Sequence, residues 1–341
     1  MSRIRHRGIK RITGQEGGSL VDRHEVEKLL LITGALEVGI VDALDEKHGL
    51  SAAAVAEELG GDERACRVVL DALASLDLVD VWSASSGEPT YTLSTYGDEH
   101  LVASGSSLER SSLLHQRSKV KGWLDIPDIV RDGAPGRKGG GSRDLRSFVL
   151  TMAEGASEVM EEVVDRVTDY ARPVPVQTML DVGGAVGHMA LRFADQGMDA
   201  TLVDRADVIP VAREHLGEKA EMIACVAADF TEELPVGPFG VAYLGNVCHI
   251  YGPDTNRKLL QRVHSVLAPG GTVAVRDFVW ERSERAPMFA VNMLQATEEG
   301  GVWREEQYRG WLEEAGFGRV EVQDLEYSEN QLVLGKRQGA R

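Results

Sequence analysis

Cysteine, basic charge and long apolar runs are all scarce in this chain of 341 residues. Its three cysteines, Cys66, Cys225 and Cys248, are odd in number and widely spaced, which fits neither a disulfide framework nor a zinc knuckle. No pair of histidines shows close metal-ligand spacing and no H-E-x-x-H motif occurs, so no catalytic metal is expected. No apolar run is long enough to cross a bilayer, and no hydrophobic region follows the basic start of the chain. Neither a membrane partner nor a secretory signal is therefore expected, and the cytoplasm is the expected compartment. Lys and Arg number 37 against 54 Asp and Glu, a formal charge of -17 that repels polyanions, so nucleic acid is not an expected partner.

A hydrophobic share of 43% and a charged share of 27% are those of an ordinary globular chain, and the length suits two domains. Residues 1–19, with Arg3, Arg5, Arg7, Lys10 and Arg11, read as a flexible basic tail. From Asp22 to Leu44 apolar residues recur at helical spacing, giving an amphipathic segment that needs a partner. Ser51 caps a short helix that Gly60 and Gly61 end, and a second helix runs from about Asp62 to Leu78. Val79 to Trp82 and Thr90 to Leu93 then form a hairpin. Helix, turn, helix, hairpin is a winged-helix pattern. Its second helix sets Arg64 and Arg67 against Asp62, Glu63, Asp71 and Asp77, which suits a protein contact better than DNA phosphates.

Residues 106–172 read as mainly helical, interrupted by a glycine-rich basic loop from Gly133 to Gly141. Beyond Pro173 and Pro175, short β-rich runs alternate with helices, which is the pattern of a parallel sheet covered by helices. The strand candidates are Thr178 to Val182, Ala200 to Val203, Met222 to Ala227, Val241 to Leu244, Thr272 to Val275, Val320 to Val322 and Gln331 to Leu334. About eight residues join the last two, too few for a crossover helix, so these two should pair antiparallel. The fold class is thus α/β, a C-terminal doubly wound Rossmann-like domain behind a mainly helical winged-helix domain.

The first of these strands runs into the turn Asp181-Val182-Gly183-Gly184-Ala185-Val186-Gly187, whose glycines let backbone approach a ligand. The second ends at Asp204, followed by Arg205, at the spacing where an acid reaches a ribose diol. The third leads to Asp229 and Phe230, an acid beside an aromatic that suits an adenine edge and face. Three acids at three successive strand ends lie along one rim of a doubly wound sheet, where ligands bind. A dinucleotide-binding turn would read G-x-G-x-x-G and receive a pyrophosphate, which Asp181 would repel. An acid there favours an ammonium or sulfonium, and hence S-adenosylmethionine as cofactor.

These segments, with Gly245-Asn246-Val247-Cys248-His249-Ile250-Tyr251, Leu267 to Gly271 and Glu314 to Phe317, resemble the class I O-methyltransferases of the caffeate and hydroxyneurosporene type. The resemblance covers nearly all of 20–338 and implies a homodimer made by the winged-helix domain. The implied organisation is a tail over 1–19, a dimerisation domain over 20–105, a helical linker and pocket segment over 106–172, and a cofactor-binding domain over 173–341. The cofactor residues would be Asp181, Gly183, Gly184, Gly187, Asp204, Arg205, Asp229, Phe230, Gly245 and Asn246. His249 falls on the family's catalytic base, Asp277 on the first of two neighbouring carboxylates, and Val302 and Trp303 occupy the stretch of the second. Ala185 stands where the family has glycine, which requires a negative φ there.

A neutral imidazole suits deprotonation of a phenol or enol, and a carboxylate beside it would fix its tautomer and steady the imidazolium. The acceptor would be a small, largely apolar molecule held by His115, Trp123, Met152, Met293 and Thr297, with Phe148 and Met160 nearby. The readings left open are an O-methyltransferase, a carbon methyltransferase or non-methylating relative on the same fold, and a winged-helix regulator that senses a ligand.

Overall fold

The computed structural model describes residues 22–82, 88–103, 109–133, 145–151 and 157–339. The basic tail, most of the turn in the hairpin, the glycine-rich loop beyond Gly133 and Met152 lie outside the described residues. The chain divides into two compact units between Leu113 and Leu114.

In the first unit the Asp22 carboxylate accepts from the backbone N–H of His24 and Glu25 and starts α1 (Arg23–Val38). The amphipathic segment expected as one helix is broken at Gly39, which takes a left-handed conformation (φ 91°) and starts α2 (Ile40–Glu46). A short strand, β1 (Leu50–Ser51), precedes α3 (Ala52–Leu59), whose cap is the expected one, Ser51 Oγ accepting from Ala54 N–H. The second helix, α4 (Glu63–Ala74), is capped by Asp62 and ends earlier than expected, in a turn through Asp77 (φ 58°). β2 (Val79–Trp82) and β3 (Thr90–Leu93) pair antiparallel, and β1 joins them in the order β1-β3-β2. Leu44, Val55, Leu70 and Tyr91 are fully buried between these elements, and the Tyr91 hydroxyl donates to Asp71. α5 (Thr95–Leu101) follows.

α6 (Glu109–Leu124), α7 (Ile126–Asp132), α8 (Leu145–Thr151) and α9 (Ser157–Ala171) lead into the second unit's sheet. In chain order its elements are β4 (Thr178–Val182), α10 (His188–Asp195), β5 (Asp199–Asp204), α11 (Ile209–Leu216), β6 (Ala224–Ala227), β7 (Phe239–Gly245), α12 (Pro253–Val266), β8 (Leu267–Asp277), α13 (Ala286–Ala296), α14 (Glu305–Glu314), β9 (Phe317–Asp324) and β10 (Gln331–Arg337). The strand expected from Met222 starts at Ala224, because Gly217–Met222 forms a 3₁₀ turn.

Among the described residues the sheet has seven strands in the order β6-β5-β4-β7-β8-β10-β9. β4 to β8 run parallel, and β10 pairs antiparallel with both β8 and β9, as the short connection required. Strand side chains alternate faces, so each side of the sheet has its own core. Met179, Leu202 and Tyr243 meet Val163 and Val167 of α9 and Phe193 of α10 on one side. Leu180, Ala242 and Val273 meet Leu259 and Val263 of α12 and Trp311 of α14 on the other. The chain winds outward from β4 to β6 and then returns to β7 on the far side of β4. Loops after β4 and β7 therefore part above β4, which opens a crevice at the carboxyl ends of the strands.

Candidate active site

Gly183 (φ 69°) leaves β4 in a conformation that a side chain resists, and a Cβ there would lie 2.9 Å from Val247 and 3.3 Å from Phe230. The turn thus packs directly on the loop after β7 and on Phe230. Ala185 does not keep a negative φ; it sits at 51°. A left-handed alanine costs roughly 1–2 kcal/mol. Its N–H donates to Asp204 Oδ2 at 2.9 Å, a charge-assisted bond whose strength is sufficient to offset that strain.

Asp204 closes β5 with its other oxygen accepting from Arg205 N–H at 2.7 Å. Burial pushes its carboxyl above the usual range, and those two N–H groups partly oppose the shift. Asp181 is turned beneath the loop rather than toward the crevice: it is fully buried, and Oδ2 accepts from Ala190 N–H at 3.1 Å in the first turn of α10. Gly184 lies directly on it, since a Cβ there would come within 2.3 Å of Oδ2. Oδ1 has no partner, and burial raises this carboxyl to about 7. Gly187 also faces inward, its missing Cβ pointing at Leu202, Leu216 and Ile223. In this conformation Asp181 and Gly187 shape the turn from below, without a surface to offer a ligand.

Asp229 is exposed and caps its own turn by accepting from the N–H and hydroxyl of Thr231, while Phe230 is buried against the edge of Tyr251. Arg205 is held by Asp207. Gly245 ends β7 beside the Tyr243 hydroxyl, and Asn246 (φ 58°) turns the chain with its N–H donated to Arg276 O at 2.8 Å. Gly183, Gly184, Asp204, Asp229, Phe230, Gly245 and Asn246 therefore belong to one rim. Its unbalanced carboxylates and its backbone, bare at the glycines, fit a ligand with a cationic sulfonium and a ribose.

Beyond Asn246 a short 3₁₀ turn, Cys248–Ile250, carries His249. Asp277, the last residue of β8, is fully buried and receives His249 Nδ1 at 2.8 Å on Oδ1 and His249 N–H at 3.0 Å on Oδ2. Phe278 N–H also donates to Oδ1, at 2.9 Å. A carboxylate on Nδ1 selects the tautomer with its proton there and leaves Nε2 with a lone pair. The turn is clamped from two further sides that the sequence reading did not anticipate. Asn256 Nδ2 and Trp303 Nε1 each donate to Cys248 O at 2.9 Å, and Gly301 N–H donates to His249 O at 2.9 Å. Asn256 left a trace in the sequence, since it stands on the apolar stripe of α12 with Leu259, Leu260 and Val263.

Phe289 of α13 meets the His249 ring edge-on, with centroids 4.9 Å apart, and Phe278 packs on Phe289 at 4.4 Å. Met293 and Thr297 follow Phe289 at four-residue intervals on the same face. Met293 is buried, and the Thr297 hydroxyl donates to Met293 O at 2.7 Å and accepts from Gly300 N–H, so it serves as a helix cap. His115 stacks obliquely with Phe148 of α8. Trp123 is half-buried on α6, next to Gly122, which packs against Gln295 of α13.

The doubly wound sheet behind a helical dimerisation domain is the architecture of a class I S-adenosylmethionine-dependent methyltransferase. Within that class the chain belongs to the O-methyltransferase family: residues 140–318 match its O-methyltransferase domain and residues 31–103 its O-methyltransferase dimerisation domain. It is 28% identical over 291 residues to the tetracenomycin polyketide synthesis 8-O-methyl transferase TcmO of Streptomyces glaucescens, covering 77% of this chain and 80% of that one. It is also 28% identical over 297 residues to acetylserotonin O-methyltransferase of Mus musculus, covering 80% and 76%. The structure of human N-acetylserotonin methyltransferase in complex with S-adenosylmethionine superposes with a TM-score of 0.64 at 22% identity, covering 94% of this chain and all of that one. Among the described residues no helix is long and apolar enough to cross a membrane.

Proposed function

We propose that this enzyme methylates a hydroxyl group, a phenol or an enol, on a small and flat acceptor, with His249 as general base and Asp277 as its orienting partner. The observation that carries this reading is the 2.8 Å contact of Asp277 with His249 Nδ1, which leaves Nε2 as the proton acceptor. When bound, S-adenosylmethionine supplies an electrophilic methyl group on a sulfonium, open to in-line displacement. Asp204 would accept from the ribose hydroxyls, Asp229 and Phe230 would meet the adenine edge and face, and Gly183 and Gly245 would lie against the adenosine. Nε2 would take the acceptor's proton as the oxygen–methyl bond forms and the sulfur–methyl bond breaks, its electron pair leaving on the thioether sulfur, and Asp277 would stabilise the resulting imidazolium. Phe278, Phe289 and Met293 support an apolar, planar acceptor beside that imidazole. The dimerisation domain supports a homodimer. Incubation with labelled S-adenosylmethionine and a panel of phenols and enols tests the reading. Label found only on carbon, or transfer by His249→Ala at the wild-type rate, would overturn it.

A further inference from the structure

Arg276 stands one residue before Asp277 in β8, so its side chain emerges on the opposite face of the sheet from the His249 pair. Its Cα is the register partner of Gly245, at the carboxyl edge of the strands. The guanidinium lies beside the Tyr243 hydroxyl, and that hydroxyl is 2.7 Å from where a Cβ on Gly245 would be. The cation therefore reaches the rim at Gly245, about two strand spacings, roughly 10 Å, from the glycine turn of β4.

Its electrostatic situation is unusual. Arg276 is half-buried, its Nε is fully enclosed with no hydrogen-bond partner, and among the described residues no carboxylate forms an ion pair with it. Asp277 is committed to His249 and Phe278 on the other face. An N–H enclosed without an acceptor is costly, and cations that are partly enclosed are paired as a rule. Most other arginines of the second unit's outer surface show the ordinary outcome, such as Arg282 between Glu305 and Asp324 or Arg309 on Glu305. The Nε–H of Arg276 thus lacks an acceptor, and the planar fork that carries it matches a carboxylate.

We propose that Arg276, with the Tyr243 hydroxyl beside it, forms a carboxylate-binding site at the carboxyl edge of β7 and β8. Two sources have this chemistry, the amino-acid end of the cofactor and a carboxylate on the acceptor. The acceptor source rests on the hydroxyl-transfer reading above; the cofactor source does not. Arg276→Met keeps the unbranched stem of the side chain and removes the guanidinium and its charge. Isothermal titration compares S-adenosylmethionine with decarboxylated S-adenosylmethionine on both proteins. A wild-type preference for the carboxylated cofactor of about 10- to 100-fold, lost in Arg276→Met with the decarboxylated affinity held within about 2-fold, assigns the site to the cofactor. In the second arm, hydroxybenzoic acids and their methyl esters are offered as acceptors. A wild-type preference for the acid that disappears in Arg276→Met, at unchanged cofactor affinity, assigns the site to the acceptor. Arg276→Lys should restore part of either preference. If wild type discriminates in neither arm, or Arg276→Met discriminates as wild type does, the site does not exist. The first of those outcomes is read without any variant, so a misfolded Arg276→Met would not shield the proposal.

Discussion

Replacing Asp277 by asparagine isolates what its charge and its two oxygens do. The carboxylate is fully buried and accepts three N–H bonds, from His249 Nδ1, Phe278 N and His249 N, at 2.8, 2.9 and 3.0 Å. An amide of the same shape has one carbonyl oxygen. With that oxygen toward Nδ1 and Phe278, its NH₂ meets the His249 backbone N–H, and a buried donor is left unsatisfied at a cost of about 1–3 kcal/mol. In a unit of this size each kcal/mol lowers the midpoint of thermal unfolding by about 2–4 °C, so Asp277→Asn should unfold roughly 2–12 °C below wild type. Differential scanning calorimetry measures this. Turnover should fall as well, because the amide still orients the ring but no longer stabilises the imidazolium, and the loss should be smaller than in His249→Ala. A variant that melts within about 1 °C of wild type and turns over at the wild-type rate would refute both the buried hydrogen bonds of Asp277 and its stabilisation of the imidazolium.

Loss of the base itself, in His249→Ala, should lower kcat by about 10² or more and leave S-adenosylhomocysteine affinity by calorimetry nearly unchanged, since the imidazole is asked only to move a proton. Asp204→Ala should weaken S-adenosylmethionine by about 1.5–3 kcal/mol through lost charge-assisted bonds; unchanged binding would remove Asp204 from the cofactor site. Asp181 predicts a pH effect on the ligand-free protein. Burial raises its folded carboxyl to about 7, well above its unfolded value, so the folded state holds the extra proton between those values. Stability from this group is therefore complete below about pH 4 and is lost as pH rises through about 7. Denaturant titrations at pH 5 and pH 8 should show that loss in wild type and a smaller one in Asp181→Asn, and equal slopes would contradict it. Sedimentation at micromolar concentration should show a dimer, and a monomer would count against the dimerisation reading of residues 31–103.

Periodicity and punctuation carried most of the fold. The helix cap Ser51, the start of the next helix near Asp62, the hairpin, the strand and helix alternation after Pro175 and the antiparallel end of the sheet were legible because each is a local consequence of side-chain spacing or turn chemistry. So were the acids at three strand ends, since a parallel sheet puts successive strand ends on one edge whatever the details of packing. Local pattern was weaker where a conformation is held from elsewhere. Gly39 breaks a continuous apolar stripe, and Ala185 takes a left-handed conformation that alanine alone avoids, held by a bond to Asp204 from the next strand.

By itself, then, the sequence determined the class of fold, the edge of the sheet that carries the candidate site, and the residue types available there. Tertiary structure alone decided which of them face the crevice. Asp181 and Gly187 flank the same turn as Gly183 yet are enclosed beneath it, because Gly184 and the first turn of α10 cover Asp181 while Leu202, Leu216 and Ile223 cover Gly187. The clamp on His249 joins Asn256, Asp277 and Trp303, and the unpaired cation of Arg276 is visible only once Asp277 is seen spending both oxygens on the opposite face. Those pairings span up to 55 residues of chain, and no local spacing encodes them, since they arise from which strand ends the parallel sheet sets side by side.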